Sequence, residues 1–67
     1  MREVDARGRS CPEPVIMTKR ALKECDEIDV LVDNRASLEN VQRFGRAMKK
    51  NVSAKEEGNG WRIEIRR

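Results

Sequence analysis

Apolar residues recur along this chain with two different spacings, and the order of the segments that carry each spacing restricts the folds that the chain can adopt. Alternation of apolar and polar residues, which is typical of half-buried strands, covers 3–7, 28–32, 52–57 and 61–66. Apolar spacings of three and four residues, which are typical of amphipathic helices, cover 12–24 and 37–48. The sequence therefore predicts the order βαβαββ.

The predicted elements fit a two-layer arrangement. Each strand offers mainly one apolar face and each helix one apolar stripe, so both helices should pack on one face of a four-stranded mixed sheet. Leu31 makes the second face of strand 28–32 partly apolar, which favours a central position for that strand. We therefore expect an α/β (α+β) two-layer sandwich, with residues 1–67 as a single domain. The outer sheet face should meet water through Asp29, Asp33, Lys55, Arg62, Glu64 and Arg66.

The helix ends carry recognisable signals. Pro12 suits the first position of the first helix, which makes Cys11 its N-cap. Ser37 is a good N-cap for the second helix. The apolar stripe of that helix runs through Leu38, Val41, Phe44, Gly45 and Met48. We expect Phe44 and Trp61 to belong to the core.

Composition argues against a deep substrate cavity, a membrane span, a metal site and Cys-His catalysis. Charged residues make up 40% of the chain and hydrophobic ones 37%, so the core is thin and a deep substrate cavity is not expected. No apolar run reaches the roughly 20 residues of a membrane span, and no signal peptide is recognisable, which favours a cytoplasmic protein. Two cysteines without any histidine favour neither a metal site nor Cys-His catalysis, and nothing indicates a cofactor.

Cys11 is the candidate reactive group. The positive end of the helix dipole should favour its thiolate, and Arg7 and Arg9 are close enough in sequence to add to that effect. The negative charge of Glu13 opposes this effect. Pro12 and Pro14 have no backbone N–H, so mainly the N–H groups of Glu13 and Val15 remain to donate a hydrogen bond to the sulfur. We expect a moderately lowered thiol pKa. Cys25 lies on the inward stripe of the first helix and should serve packing.

The residues around Cys11 form a wider pattern. Asp5, Gly8, Cys11, Pro12 and Pro14 stand at the spacing D-x-x-G-x-x-C-P-x-P after the first strand. This pattern resembles the TusA-like family, also called SirA-like, and looks closest to the N-terminal domain of YedF-type proteins. The resemblance implies a sulfur carrier that accepts sulfur as a persulfide on Cys11. It implies a donor such as a cysteine desulfurase or rhodanese-like protein, and a DsrE-like or other acceptor on a separate chain.

The remaining motif residues have supporting roles in this interpretation. Gly8 should tolerate positive φ, and Asp5 should bond N–H groups of the loop. Pro12 and Pro14 should stiffen the turn and keep the sulfur accessible, and Glu13 stands between them in the motif.

The outward side of the first helix carries a basic pattern. Ile16 is an apolar residue that should be exposed, and it stands among Lys19, Arg20 and Lys23. Such a face serves either solubility or docking of an acidic partner protein, and the sequence leaves both open.

A nucleic-acid-binding module and a thiol-dependent regulator are the alternative functions. The first lacks exposed aromatic residues for base stacking, and the second lacks a nearby resolving cysteine.

Overall fold

The computed structural model describes residues 2–10 and 12–67. In chain order the elements are β1 (Arg2–Asp5), α1 (Glu13–Glu24), β2 (Ile28–Val32), α2 (Arg35–Ala47), β3 (Asn51–Glu57) and β4 (Gly60–Arg66). The predicted order βαβαββ is confirmed. None of the helices in the described part of the chain has the length and apolarity that crossing a membrane requires.

The described strands form one mixed four-stranded sheet in the order β1-β2-β4-β3. β1 pairs with β2 in parallel, with Val4 opposite Val30. β4 pairs in antiparallel fashion with both β2 and β3, and Ile63 lies opposite Val30 and Ala54. β2 is therefore central, as its apolar second face predicts. All five of its residues are buried.

The core lies between the helices and one face of the sheet. Its strand residues include Val30, Val32, Ile63 and Ile65, each with no exposed surface, and its helix residues include Val41. Burying an aliphatic side chain of this size contributes about 1.5–3 kcal/mol. Because α1 and α2 both cover this one face, the two-layer sandwich is confirmed.

The opposite sheet face carries charges that are less exposed than the sequence suggests. Asp29 is only 7% exposed. The side chains of Arg62 and Arg66 reach its two oxygens at 3.0 and 2.9 Å. Leu31 on the same face is buried as well. The expectation that Asp29 meets water is therefore wrong.

Arg62 connects all four strands across this face. It contacts Glu57 of β3 through two parallel bonds of 2.9 and 3.0 Å. It also reaches Glu3 of β1 at 2.7 Å, in addition to Asp29 of β2. The hydrogen bonds that Arg62 donates to these carboxylates, the ones to Glu57 contributing most, raise the pKa of Arg62, and they lower the pKa of Glu57. These ion pairs link the four strands on the outer face of the sheet.

The N-cap of α2 differs from the prediction. Asn34 is the N-cap, and its Oδ1 accepts the Ser37 N–H at 2.8 Å. Ser37 lies inside the first turn and is buried. The prediction failed because both residue types favour this position, and only the end of β2 decides where α2 can begin.

α2 also ends earlier than its apolar stripe suggests. Met48 is its C-cap, and this side chain is 51% exposed rather than buried. Lys49 follows with φ of 62°. The Lys49 N–H donates to Arg46 O at 2.8 Å and the Lys50 N–H donates to Gly45 O at 3.1 Å. This pair of bonds is a Schellman motif, which directs the chain into β3.

The β3–β4 hairpin packs against the end of β2. Residues 58 and 59 form its turn, and Gly60 opens β4 opposite Glu57. A Cβ atom at Gly60 would overlap the carbonyl oxygen of Val32. Glycine at this position therefore lets β4 approach the carboxyl end of β2.

Candidate functional site

The loop between β1 and α1 begins with a closed turn at Asp5. The Arg7 side chain donates to both carboxylate oxygens of Asp5 at 2.9 Å, and the Arg7 backbone N–H donates to Oδ1 at 3.1 Å. These hydrogen bonds, the side-chain ones first, lower the pKa of Asp5 to about 2. The predicted role of Asp5 as an acceptor of loop N–H groups is confirmed.

Gly8 joins this loop to the neighbouring strand. Its φ is +78°, so the prediction of positive φ is confirmed. The Gly8 N–H donates to Oδ2 of Asp33 at 2.9 Å. Asp33 directly follows β2, which is parallel to β1, so the carboxyl ends of both strands meet at this edge. The sequence places Asp33 only on the water-facing side of the sheet and does not predict this contact, although Asp33 directly follows a buried strand.

Asn34 extends the same connection into α2. Its Nδ2 donates to Oδ1 of Asp33 at 3.4 Å while its Oδ1 caps the helix at Ser37. The loop after β1, the end of β2 and the start of α2 thus share one chain of hydrogen bonds.

The first turn of α1 starts one residue later than predicted. Pro12 is its N-cap, with φ of −98° and ψ of 14°, and Glu13 is the first helical residue. The Glu13 N–H donates to Ser10 O at 2.9 Å, and the Val15 N–H donates to Pro12 O at 3.1 Å. Both N–H groups that were predicted to be available to the sulfur therefore donate to backbone carbonyls instead. A proline N-cap leaves its carbonyl as the acceptor that organises the turn.

Cys11, the predicted reactive residue, lies outside the described residues. Its neighbours on the C-terminal side are placed as follows: Pro12 and Glu13 are exposed, whereas Pro14 is fully buried. Thr18, also buried, donates its hydroxyl to Pro14 O at 2.8 Å. The second proline of the motif therefore anchors the start of α1 in the core.

The outer surface of α1 carries the predicted docking residues. Ile16 is 43% exposed, and Lys19, Arg20 and Lys23 are exposed too. They do not share one concave surface. Arg20 faces the β1 side with Val4, Asp5 and Met17, whereas Lys19 and Lys23 face α2.

A groove lies between the second half of α1 and the end of α2. Its volume is about 270 Å³, and we call it the inter-helix groove. Its lining residues are Lys19, Leu22, Lys23, Phe44 and Met48. Phe44 is half-buried here, so its expected place in the core is wrong. The groove is not predictable from the helical pattern, because that pattern does not show that α2 ends before Met48.

Trp61 is half-buried and packs against the core. The guanidinium carbon of Arg35 lies 6.0 Å from its ring centroid, which is the outer limit of a cation–π contact.

The described residues were also compared with the requirements of a metal site. Within residues 2–10 and 12–67, no group of three or more His, Cys, Asp or Glu side chains could hold a metal ion. Cys25 is half-buried at the C-cap of α1, where its N–H donates to Ala21 O at 2.9 Å, and it packs against the core.

Comparisons with known proteins agree with this geometry. The family model described as Sulfurtransferase TusA matches residues 2–67. A Desulfitobacterium hafniense protein described as SirA-like has a crystal structure that superimposes with a TM-score of 0.90 and 36% identity, covering 97% of this chain and 95% of that one.

A Methanocaldococcus jannaschii protein, whose name describes it as a candidate sulfur carrier, is 43% identical over 47 residues. That match covers 66% of this chain and 63% of the relative, so it spans less than two thirds of the curated protein. The family model, by contrast, extends over both helices and all four strands. The chain belongs to the TusA sulfurtransferase family.

Proposed function

We propose that this protein is a sulfur carrier that accepts sulfur as a persulfide on Cys11 and passes it to an acceptor protein. The observation that carries the proposal is the closed loop directly before Cys11. Its two anchors, Asp5 with Arg7 and Gly8 with Asp33, fix residues 5–8, which precede the reactive residue by three positions. Membership of the TusA family and the name of the M. jannaschii relative support the same role.

The transfer needs no external oxidant or reductant. The Cys11 thiolate attacks the outer sulfur of a persulfide on the donor cysteine, and the bond between that sulfur and the donor cysteine breaks. The donor leaves as a thiolate, and Cys11 now carries the persulfide. A thiolate of the acceptor then attacks the outer sulfur, and Cys11 returns to its starting thiolate.

Activation of Cys11 relies on few groups. The N–H groups of Glu13 and Val15 are occupied, and the charge of Arg7 is offset by Asp5. The helix dipole and Arg9, which is exposed and forms no ion pair with another described residue, therefore supply the positive potential. Glu13 opposes it. We infer a carrier thiol that depends on its partners for reactivity.

The proposed partners follow from this chemistry. A cysteine desulfurase or rhodanese-like protein would present the donor persulfide, and a DsrE-like or other thiol protein would receive the sulfur. Docking is assigned to Ile16, Lys19, Arg20 and Lys23 on the exposed side of α1. A cytoplasmic location and a single functional unit over residues 1–67 remain predictions of the sequence.

Intact-mass spectrometry tests the proposal. The protein is incubated with a cysteine desulfurase and cysteine, and the mass is expected to rise by one sulfur atom and to return on reduction with a thiol. Cys11→Ser should prevent the gain, whereas the matched variant Cys25→Ser should retain it. If the mass gain persists in Cys11→Ser and disappears in Cys25→Ser, Cys25 carries the sulfur and the proposal is refuted.

A further inference from the structure

The inter-helix groove combines an apolar floor with a cationic rim. Leu22, Phe44 and Met48 form the floor, and Lys19 and Lys23 stand at its edge. Leu22 and Phe44 are half-buried and Met48 is half-exposed, so apolar surface stays in water in the isolated protein. Exposed apolar surface with a polar rim is typical of interaction sites.

We propose that the inter-helix groove binds a segment of a sulfur-exchanging partner protein, one that presents an apolar side chain flanked by carboxylates. This inference rests on the proposed function, because it takes the partner to be a protein that exchanges sulfur with Cys11. The apolar side chain enters between Phe44 and Met48. The flanking carboxylates meet Lys19 and Lys23.

The charge distribution of the helical layer favours an acidic partner. α1, α2 and the two residues after Met48 carry eight basic side chains, namely Lys19, Arg20, Lys23, Arg35, Arg43, Arg46, Lys49 and Lys50. They carry three acidic ones, Glu13, Glu24 and Glu39. Glu24 pairs with Arg2, and none of the three lines the groove. A segment with carboxylates beside its apolar residue is therefore attracted by Lys19 and Lys23 at the edge of the groove and by the net positive charge of the two helices.

A second copy of this chain fits the groove less well, because many of its carboxylates are already paired with its own basic side chains. Glu3, Asp29 and Glu57 contact Arg62, and Asp5 is held by Arg7. A nucleic acid fits less well because base stacking needs an accessible aromatic face. Phe44 is half-buried in the groove, and Trp61 packs against the core with Arg35 over its ring.

The groove lies on α1, the helix that follows Cys11 in the chain. Ile16, Lys19 and Lys23 follow one another along the exposed side of α1, and Lys23 lies about 10 Å along the axis from Ile16. A bound segment thus holds its parent protein within about three turns of the start of α1. Met48 adds adaptability, because its unbranched side chain can repack around different apolar groups.

A peptide titration tests the inference. The probe is a fluorescein-labelled peptide of about 14 residues with leucines at helical spacing and glutamates elsewhere. It is titrated into the Cys11→Ser protein, so binding is measured independently of sulfur loading. In NMR spectra of the protein, addition of the peptide should shift the backbone amide signals of the groove residues, which are Lys19, Leu22, Lys23, Phe44 and Met48.

Matched variants separate the groove from bulk charge. Lys23→Glu and Arg46→Glu change the net charge equally, but Arg46 lines a different surface with Glu39, Gln42 and Arg43. Lys23→Glu and Met48→Ser should each weaken binding of the peptide by about tenfold, whereas Arg46→Glu should change it less than about twofold. Equal weakening by Lys23→Glu and Arg46→Glu would overturn the inference, as would equal binding of a lysine-for-glutamate peptide.

Two further measurements address the identity of the occupant. In sulfur loading by a cysteine desulfurase, the glutamate peptide should raise the apparent KM of the desulfurase for the wild-type protein without changing kcat. Peptide binding that does not compete with loading would show that the occupant is not a sulfur-exchanging partner. Tighter binding of a single-stranded uridine oligonucleotide at the same amides, or a dimer that forms through them, would replace the proposed occupant. If sulfur loading fails while the peptide binds, the proposed function fails and the chemistry of the groove stands.

Discussion

The Gly8 amide N–H donates to the Oδ2 atom of Asp33 at 2.9 Å, and this bond joins the loop before Cys11 to the end of β2. The parallel pairing of β1 and β2 makes the contact possible, because both strands deliver their carboxyl ends to one edge. Asp33 acts here through the loop, as a positioning residue for the proposed carrier site.

Asp33→Ala should loosen that loop. The lost hydrogen bond is expected to cost about 1 kcal/mol in the free energy of unfolding. Exchange of the Gly8 amide hydrogen should accelerate, and sulfur loading of Cys11 should slow. Asp33→Asn keeps an acceptor oxygen and should have a smaller effect on all three. Unchanged Gly8 exchange in Asp33→Ala would show that the bond does not restrain the loop.

Acid titration should reveal the Asp5–Arg7 pair. The pKa of Asp5 is lowered from 3.8 to about 2 by hydrogen bonds from the Arg7 side chain and then from its backbone N–H. A lowered folded-state pKa means that the contribution to stability is present above about pH 3.8 and is lost as the pH falls through 2. The carboxyl ¹³C shift of Asp5 should follow this midpoint.

Arg7→Gln should move the Asp5 midpoint back toward 3.8. Arg9→Gln is the control, because Arg9 acts on Asp5 only by a weaker charge effect. An equal movement in both variants would mean that general positive potential, and not the paired bonds, lowers the pKa of Asp5.

Asp29→Ala should destabilise the fold more than its position on the outer sheet face suggests. Both of its oxygens are bound by arginines, and it is 7% exposed, so its removal is expected to cost about 2 kcal/mol. Glu64→Ala, which breaks a 3.6 Å pair with the exposed Lys55, should cost less than about 0.5 kcal/mol. Urea unfolding of the two variants compares them directly, and equal losses would contradict the assigned role of Asp29.

Lys49→Gly should stabilise the protein. Lys49 occupies the left-handed region with φ of 62° at the end of α2, where a side chain costs about 1 kcal/mol relative to glycine. Lys49→Ala removes the same charge but keeps a Cβ, so it should bring no such gain. Thermal unfolding distinguishes conformational relief from a charge effect: comparable stabilisation by both substitutions would favour the charge effect.

The periodicity of apolar residues was enough to predict the elements and their layers. Ile28 to Val32 could be placed at the centre of the sheet because only a central strand is apolar on both faces. Helix ends were harder to predict. Asn34 and Ser37 are equivalent as N-cap types, and nothing local announces that Met48 stands outside the last turn.

By itself the sequence determined the two-layer fold, the positive φ of Gly8, the loop-closing role of Asp5 and the exposure of Ile16, because each depends on local spacing or residue type. Tertiary structure alone decided that Asp33 binds Gly8, that Arg62 and Arg66 cover Asp29, and that Phe44 and Met48 form a groove with α1. These contacts join residues far apart in the chain, and their geometry depends on strand register and helix packing, which local spacing does not specify.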